Sequence, residues 1–144
     1  MKVNDLYDIL KRENIHYINH KLVSTRGAIA YFKGITVIVV DDSQIDSEAA
    51  ENTVIIQELG HYFSDSYYRE NSSFDLIENM EYRADVVAWL EFFPYKEIKF
   101  LRENGLRSAT EIASFFNVEP SFMARCLNFY FKVSNGFSDE NLYL

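Results

Sequence analysis

Three polar side chains suited to metal binding and proton transfer lie close together in an otherwise apolar segment, V-I-I-Q-E-L-G-H-Y-F, which runs from Val54 to Phe63. They are Gln57, Glu58 and His61. In a helix, Gln57 and His61 fall one turn apart on one face, with Glu58 beside them. In the motif H-E-x-x-H, two histidines at this spacing bind zinc and the glutamate activates a water molecule. Here glutamine stands in the place of the first histidine.

A further carboxylate, that of Glu81, lies on the apolar stripe of a second predicted helix, which extends from Phe74 to Phe93 and is closed by Pro94. The stripe repeats at helical spacing through Ile77, Glu81, Ala84 and Ala88. A carboxylate is unusual on an inward-facing stripe. The small alanines, together with Gly60, predict that this helix packs closely against the Val54–Phe63 helix and brings its carboxylate to the motif.

These residues allow three arrangements of the cluster. In the first, His61 and Glu81 are two zinc ligands and Glu58 is the base, so the third ligand is the amide oxygen of Gln57. An amide oxygen is a weaker donor for zinc than an imidazole nitrogen. In the second, Glu58, His61 and Glu81 all bind the metal, a set that suits manganese or iron better and leaves no obvious base. In the third, Gln57, His61 and Glu81 hydrogen-bond one another inside the core.

A different metal arrangement is raised by Glu13 and His16, which repeat the E-x-x-H spacing of Glu58 and His61. Carboxylate di-iron bundles use that spacing. Their architecture needs four long helices, and the hairpin predicted below argues against it. His16 and His20 are also four residues apart, but their segment lacks helical periodicity, so we expect both at the surface.

The elements that must position the cluster combine helices and strands. An amphipathic helix is predicted from Asn4 to Glu13, followed by a less regular stretch from Ile15 to Lys21. Two β-branched and aromatic runs, Ala28–Phe32 and Ile35–Val40, are separated by Lys33-Gly34 and predict a hairpin. The second run is nearly all apolar, which predicts an interior strand, and the first is predicted to be an edge strand.

Three further helices are predicted after the motif helices, at Tyr95–Asn104, Ala109–Phe116 and Pro120–Phe131. The last two form a helix-turn-helix-like pair, so a DNA-binding regulator is an alternative function. The final helix is mostly apolar and carries Arg125 as its only cation, which favours packing over DNA binding. The tail from Ser134 to Leu144 is polar and is expected to be loose.

Composition indicates a globular chain. Its 144 residues are 48% hydrophobic and 16% aromatic, which predicts one domain over 1–144, with the hairpin and motif helices in 1–94 and a helical part in 95–144. Cys126 is the only cysteine, which excludes an internal disulfide and a thiolate metal site. No apolar run is long enough to cross a membrane, and Asp5 and Asp8 interrupt any signal-peptide core. We therefore expect a cytoplasmic protein without a membrane partner.

The net charge of −8 is concentrated around the motif. Residues 41–85 contain twelve Asp and Glu against two Arg, so the remainder of the chain carries about +2. An acidic surround favours a cation and argues against a nucleic-acid partner. Solvated helix faces would produce the same pattern, so the charge alone does not establish a cation site.

The two motif helices together resemble the ImmA/IrrE metallo-endopeptidases, whose usual pattern is H-E-L-G-H followed by E-x-x-A-x-x-x-A-x-x-L-x-x-P. Here Q-E-L-G-H is followed by E-Y-R-A-D-V-V-A-W-L-E-F-F-P, in which Glu81, Ala84, Ala88 and Pro94 fall in register. The resemblance extends to the preceding hairpin and, more weakly, to the C-terminal helices. The prophage branch of the family often reads E-E-L-G-H, so Gln57 is similar to a substitution found there.

The resemblance implies an α+β, zincin-like fold, with a small antiparallel sheet or hairpin packed on the motif helix. It implies His61 and Glu81 as zinc ligands, Glu58 as catalytic base, and Gln57 at the remaining ligand position. It also implies a cytoplasmic protein of a prophage or mobile element that cleaves or antagonises a helix-turn-helix repressor. We expect a substrate strand to add to the edge near Ala28–Phe32. Because of Gln57, the alternative is an inactive protein that keeps the fold and binds its partner without cleavage.

Overall fold

The computed structural model describes residues 1–65 and 74–131. Its helices are α1 (Leu6–Arg12), α2 (Glu48–Ser64), α3 (Phe74–Phe92), α4 (Tyr95–Glu103), α5 (Ala109–Phe116) and α6 (Pro120–Phe131), and its strands are β1 (Ile15–Asn19), β2 (Gly27–Phe32) and β3 (Ile35–Val40). All the helices predicted from the sequence are present. The helix that carries the motif begins at Glu48, ahead of the Val54–Phe63 segment, and the other helices have ends close to those expected. The expected loose tail from Ser134 lies outside the described residues.

The three strands form one mixed sheet in the order β1-β3-β2. β2 and β3 are antiparallel and are joined by Lys33-Gly34, two residues with φ of 51° and 80°. Positive φ at both positions matches the twist of a two-residue hairpin. The predicted hairpin, with β3 inside and β2 at the edge, is confirmed. β1 runs parallel to β3, where the sequence predicts an irregular stretch, so the expected antiparallel sheet is mixed.

The histidines outside the motif lie on this side of the molecule. His16 is in β1, and His20 follows that strand; both are exposed, as expected. Glu13 directly follows α1 and is not on a helix with His16. Glu13 and His16 therefore do not form the helical pair that a di-iron bundle requires.

The core is a continuous cluster of buried side chains drawn from the N-terminal residues through α6. Its largest fully buried side chains are those of Trp89, Phe92, Phe93 and Phe122. α2 contacts both β2 and β3, and α1 contacts β1, so these helices cover the sheet. None of the helices in the described part of the chain combines the length and apolar character that a membrane span requires.

α2, which carries the motif, begins at a capped end and becomes buried in its second half. The Ser47 hydroxyl accepts a hydrogen bond of 3.0 Å from the Ala50 N–H, satisfying one of the free donors of the first turn. Glu48 and Glu51 place negative charge in that turn, where it interacts favourably with the positive end of the helix dipole. Val54, Ile55, Ile56 and Leu59 are buried nearly all round the helix. Burial on all sides fixes the orientation of the motif.

The C-terminal helices are attached to α2 and β2 by polar contacts. Glu119, just before α6, forms a two-bonded ion pair with Arg26, at 2.9 and 2.8 Å. The Glu119 N–H also donates to the Thr53 hydroxyl at 2.9 Å, and the Asn52 amide donates to the Asn117 carbonyl at 2.9 Å. These bonds hold together the residue before β2, the first half of α2 and the α5–α6 turn.

Candidate functional site

The closest approach of α2 and α3 occurs at Gly60. A Cβ built on Gly60 would lie 2.3 Å from the Ala84 carbonyl oxygen and 3.1 Å from the Ala88 Cβ. Real Cβ atoms do not come that close to a backbone oxygen, so glycine is required here. The close packing predicted from Gly60, Ala84 and Ala88 is confirmed. Because the helices pack through these small residues, the side chains one turn away can meet.

His61 and Glu81 meet across this helix pair. The His61 Nε2 lies 3.3 Å from the Glu81 Oε1. His61 is buried, at 4% exposure, whereas the Glu81 side chain is 48% exposed. The expectation that Glu81 lies on an inward stripe is therefore wrong in part. α2 ends at Ser64, one turn beyond His61, so little of α2 remains to cover α3 on the Glu81 side of the contact.

Glu58 lies on the same turn of α2 as His61 and is partly buried. Burial raises the pKa of its carboxyl to about 7; positive charge on His61 opposes this increase, and the negative charges of Glu81 and Asp85 add to it. A carboxyl group with a pKa near neutrality can both accept and return a proton at physiological pH. In the metal-free protein, Glu58 can therefore gain or lose a proton near neutral pH.

The start of the edge strand β2 lies against this carboxylate. A Cβ built on Gly27 would lie 2.3 Å from Val54 Cγ1 and 3.5 Å from Glu58 Oε1. Any larger residue at position 27 would therefore have to displace the Val54 side chain. The sequence motifs do not identify Gly27 as a site residue. The only feature of the sequence that points to it is its position directly before the predicted strand.

Asp85 is a further buried carboxylate near the site, and it is absent from the motif-based prediction. It is 3% exposed and accepts a hydrogen bond from Arg125 of α6. Burial raises the pKa of Asp85, and the Arg125 charge opposes that increase. The Arg125 guanidinium also lies 5.7 and 5.6 Å from the ring centres of Trp89 and Phe122. Through these contacts, Arg125 packs α6 against α3.

The remaining predicted site residue is Gln57. It lies on α2 one turn before His61 and is partly buried. Its position on the helix is that of the first histidine in H-E-x-x-H. Its role as a ligand stays a prediction.

The spacing of His61 and Glu81 fits a shared metal ion. Two ligand atoms about 2.0–2.2 Å from a tetrahedral zinc ion lie about 3.3–3.5 Å apart, and the two side-chain atoms are 3.3 Å apart. Within residues 1–65 and 74–131, however, no group of three or more His, Cys, Asp or Glu side chains is placed to hold a metal. The described residues therefore bring two potential metal-binding side chains together, those of His61 and Glu81.

The fold and the site together define the class of protein. An E-x-x-H helix packed on a small sheet, with a glutamate presented by the following helix, is an α+β, zincin-like arrangement. The chain belongs to the family of the IrrE N-terminal-like domain, peptidase family M78, whose family model matches residues 10–128. This family supports a metallopeptidase-type fold, and its members are typically metal-dependent peptidases. A search of curated proteins and a search of solved structures each found no match.

Proposed function

We propose that this protein is a metal-dependent endopeptidase of a prophage or mobile element, acting in the cytoplasm on a helix-turn-helix repressor. The observation that supports this function is the position of Glu58 beside the His61–Glu81 pair. A metallopeptidase needs three protein ligands for its metal and a proton acceptor, and Glu58 would be that acceptor beside two of the proposed ligands. Peptidase family membership supports a protein substrate.

The proposed roles follow from the chemistry of each side chain. His61 and Glu81 hold the metal, with the Gln57 amide oxygen as the third protein ligand. When bound, zinc polarises water and the scissile carbonyl as a Lewis acid. Glu58 takes a proton from the attacking water and returns it to the departing amine.

The outer edge of β2, which pairs with no other strand in the described part of the chain, is the proposed docking place for the substrate strand. The Asp41 N–H donates to the Arg26 carbonyl at 2.9 Å, and the pairing of β2 with β3 continues in register from there. Hydrogen bonding alternates along an antiparallel strand, so the backbone groups of Ile29 and Tyr31 face away from β3. The Gly27 carbonyl accepts a bond of 3.1 Å from Thr25. Ile29 and Tyr31 can therefore pair with an added strand.

A second candidate function is binding without cleavage. Gln57 favours it, because a neutral amide oxygen replaces an imidazole and weakens metal binding. In this case the protein binds the same repressor through its peptidase fold and does not cleave it. The contact between His61 and Glu81 then serves as a hydrogen-bonded polar pair within the helix seam.

The experiment is a cleavage assay of purified candidate repressors with the full chain and added zinc. We expect fragments with the wild-type chain, and none with Glu58→Gln or His61→Ala. Glu48→Gln is the matched control, because Glu48 is an exposed residue on the same helix away from the motif. Circular dichroism of each variant verifies folding.

The two candidate functions give different outcomes. Recovery of the repressor intact in a pull-down, with equal strength for wild type and His61→Ala, supports binding without cleavage. Equal cleavage by wild type and Glu58→Gln would exclude Glu58 as the base and overturn the proposed mechanism.

A further inference from the structure

A basic pocket lies at the other end of α3 from the candidate metal site. Its volume is about 330 Å³, and it is lined by Tyr95, Lys99, Arg102, Glu103, Arg107 and Phe131. Tyr95 begins α4, shortly after α3 ends at Phe92. Glu81 lies eleven residues before Phe92 on α3, a distance of about 16 Å along the helix axis. The pocket is therefore separate from the proposed peptidase site.

The pocket carries a positive excess in a chain of net charge −8. It has three cationic side chains and one carboxylate. Lys99 is paired with that carboxylate, Glu103, at 4.0 Å along the helix. Within the described part of the chain, no carboxylate forms a salt bridge with Arg102 or Arg107. Two guanidinium charges therefore face the pocket without a neutralising partner among the described residues.

Arg102 is held in a fixed orientation at the pocket. Its guanidinium carbon lies 3.9 Å from the ring centre of Phe131, so the planar group stacks on the aromatic face. Its Nε is buried and has no hydrogen-bond partner in the described part of the chain. Burial lowers the pKa of Arg102, and the positive charge of Arg107 lowers it further. An anion in the pocket would relieve this repulsion.

We propose that this pocket binds the phosphoryl group of a small organic phosphate. Two unneutralised guanidinium groups match the double negative charge of a phosphoryl group, whereas a carboxylate would leave one positive charge unpaired. The planar donors of arginine suit its oxygens. The volume falls in the range of small-molecule sites, about 300–1,000 Å³, so there is room for the body of the ligand.

The experiment is calorimetric titration of inorganic phosphate into the full chain at low ionic strength and about pH 8, where phosphate is doubly charged. We expect Arg107→Ala to weaken binding by about tenfold or more, because a charge-assisted contact is lost. Arg102→Lys keeps the charge but loses the planar donors, so we expect it to weaken binding similarly. Arg12→Ala is the matched control, an exposed arginine on α1.

Arg107 is exposed, so its alanine variant should keep the wild-type melting temperature and report on binding alone. Unchanged affinity in Arg12→Ala, together with weaker affinity in the two pocket variants, supports the site. Three results would each overturn it: no phosphate binding by the wild type, equal affinities in Arg107→Ala and Arg12→Ala, or acetate binding as tightly as phosphate. None of these results depends on whether the chain cleaves a protein.

Discussion

The Ala84 carbonyl oxygen lies 2.3 Å from the point that a Cβ on Gly60 would occupy, so α2 and α3 touch backbone to backbone. Backbone cannot move aside as a side-chain tip can, so Gly60→Ala must push the helices apart. Overpacking of this kind costs about 1–3 kcal/mol. We predict a loss of stability in urea denaturation, together with a longer separation of His61 from Glu81. Helix propensity alone favours alanine by about 1 kcal/mol, so a more stable variant would contradict the packing.

Gly27→Ala tests the crossing of β2 over α2. The added methyl group would meet Val54 Cγ1 at 2.3 Å, and a β-branched side chain cannot easily rotate away. We predict a loss of about 1–3 kcal/mol. In the double variant Gly27→Ala/Val54→Ala the methyl group has space, so its cost should be smaller than the sum of the two single costs. Additive costs in urea denaturation would show that the two residues do not compete for this volume.

The elevated pKa of Glu58 predicts a pH dependence of stability in the metal-free protein. Burial raises this pKa from 4.5 to about 7, so between these values the folded chain keeps a proton that the unfolded chain has released. Stability therefore falls as pH rises through this window. Glu58→Gln does not titrate and should gain on the wild type by up to about 3 kcal/mol between pH 4.5 and pH 8.

Urea denaturation in the presence of a chelator, at several pH values, measures this difference directly. Asp85 also has a raised pKa, but it is present in both proteins. Its contribution to the pH dependence therefore cancels to first order in the difference between them. A difference in stability between wild type and Glu58→Gln that stays constant with pH would mean that the carboxyl is not buried in solution.

The pair between Arg26 and Glu119 links the edge strand to the C-terminal helices. Its two bonds of 2.9 and 2.8 Å are partly shielded from solvent. We predict a coupling energy of about 1 kcal/mol in a double-mutant cycle of Arg26→Met and Glu119→Gln, falling at high salt. The exposed pair Lys99–Glu103 is the comparison, and its coupling should be smaller. Equal coupling energies would show that bidentate geometry adds nothing here.

Elements with local signals were predictable from the sequence. α5 starts at a capping box of Ser108 and Glu111, and Pro120 opens α6, so both helices have the expected bounds. Asn117 ends α5 in the left-handed conformation. The close approach of α2 and α3 followed from the spacing of small residues such as Gly60. In each case the information lies within a few residues of the feature itself.

Features that depend on distant partners were not predictable. β1 is short and is formed by its pairing with β3, as in Ile15 opposite Thr36. Arg26 pairs with Glu119, which is 93 residues away in the sequence, and Asp85 pairs with Arg125, which is 40 residues away. Nothing local indicates such pairs. The half-exposure of Glu81 likewise depends on where α2 ends, which the stripe on α3 cannot reveal.

Zinc affinity is the most direct test of the metal site. We would measure zinc content by plasma mass spectrometry on untagged protein, and affinity by competition with a chelator. We predict about one zinc per chain in the wild type and none in His61→Ala or Glu81→Ala. Gln57→His should bind zinc at least about tenfold more tightly than the wild type, because imidazole replaces an amide oxygen. Equal zinc in wild type and His61→Ala, or none even in Gln57→His, would contradict a metal site formed by these helices.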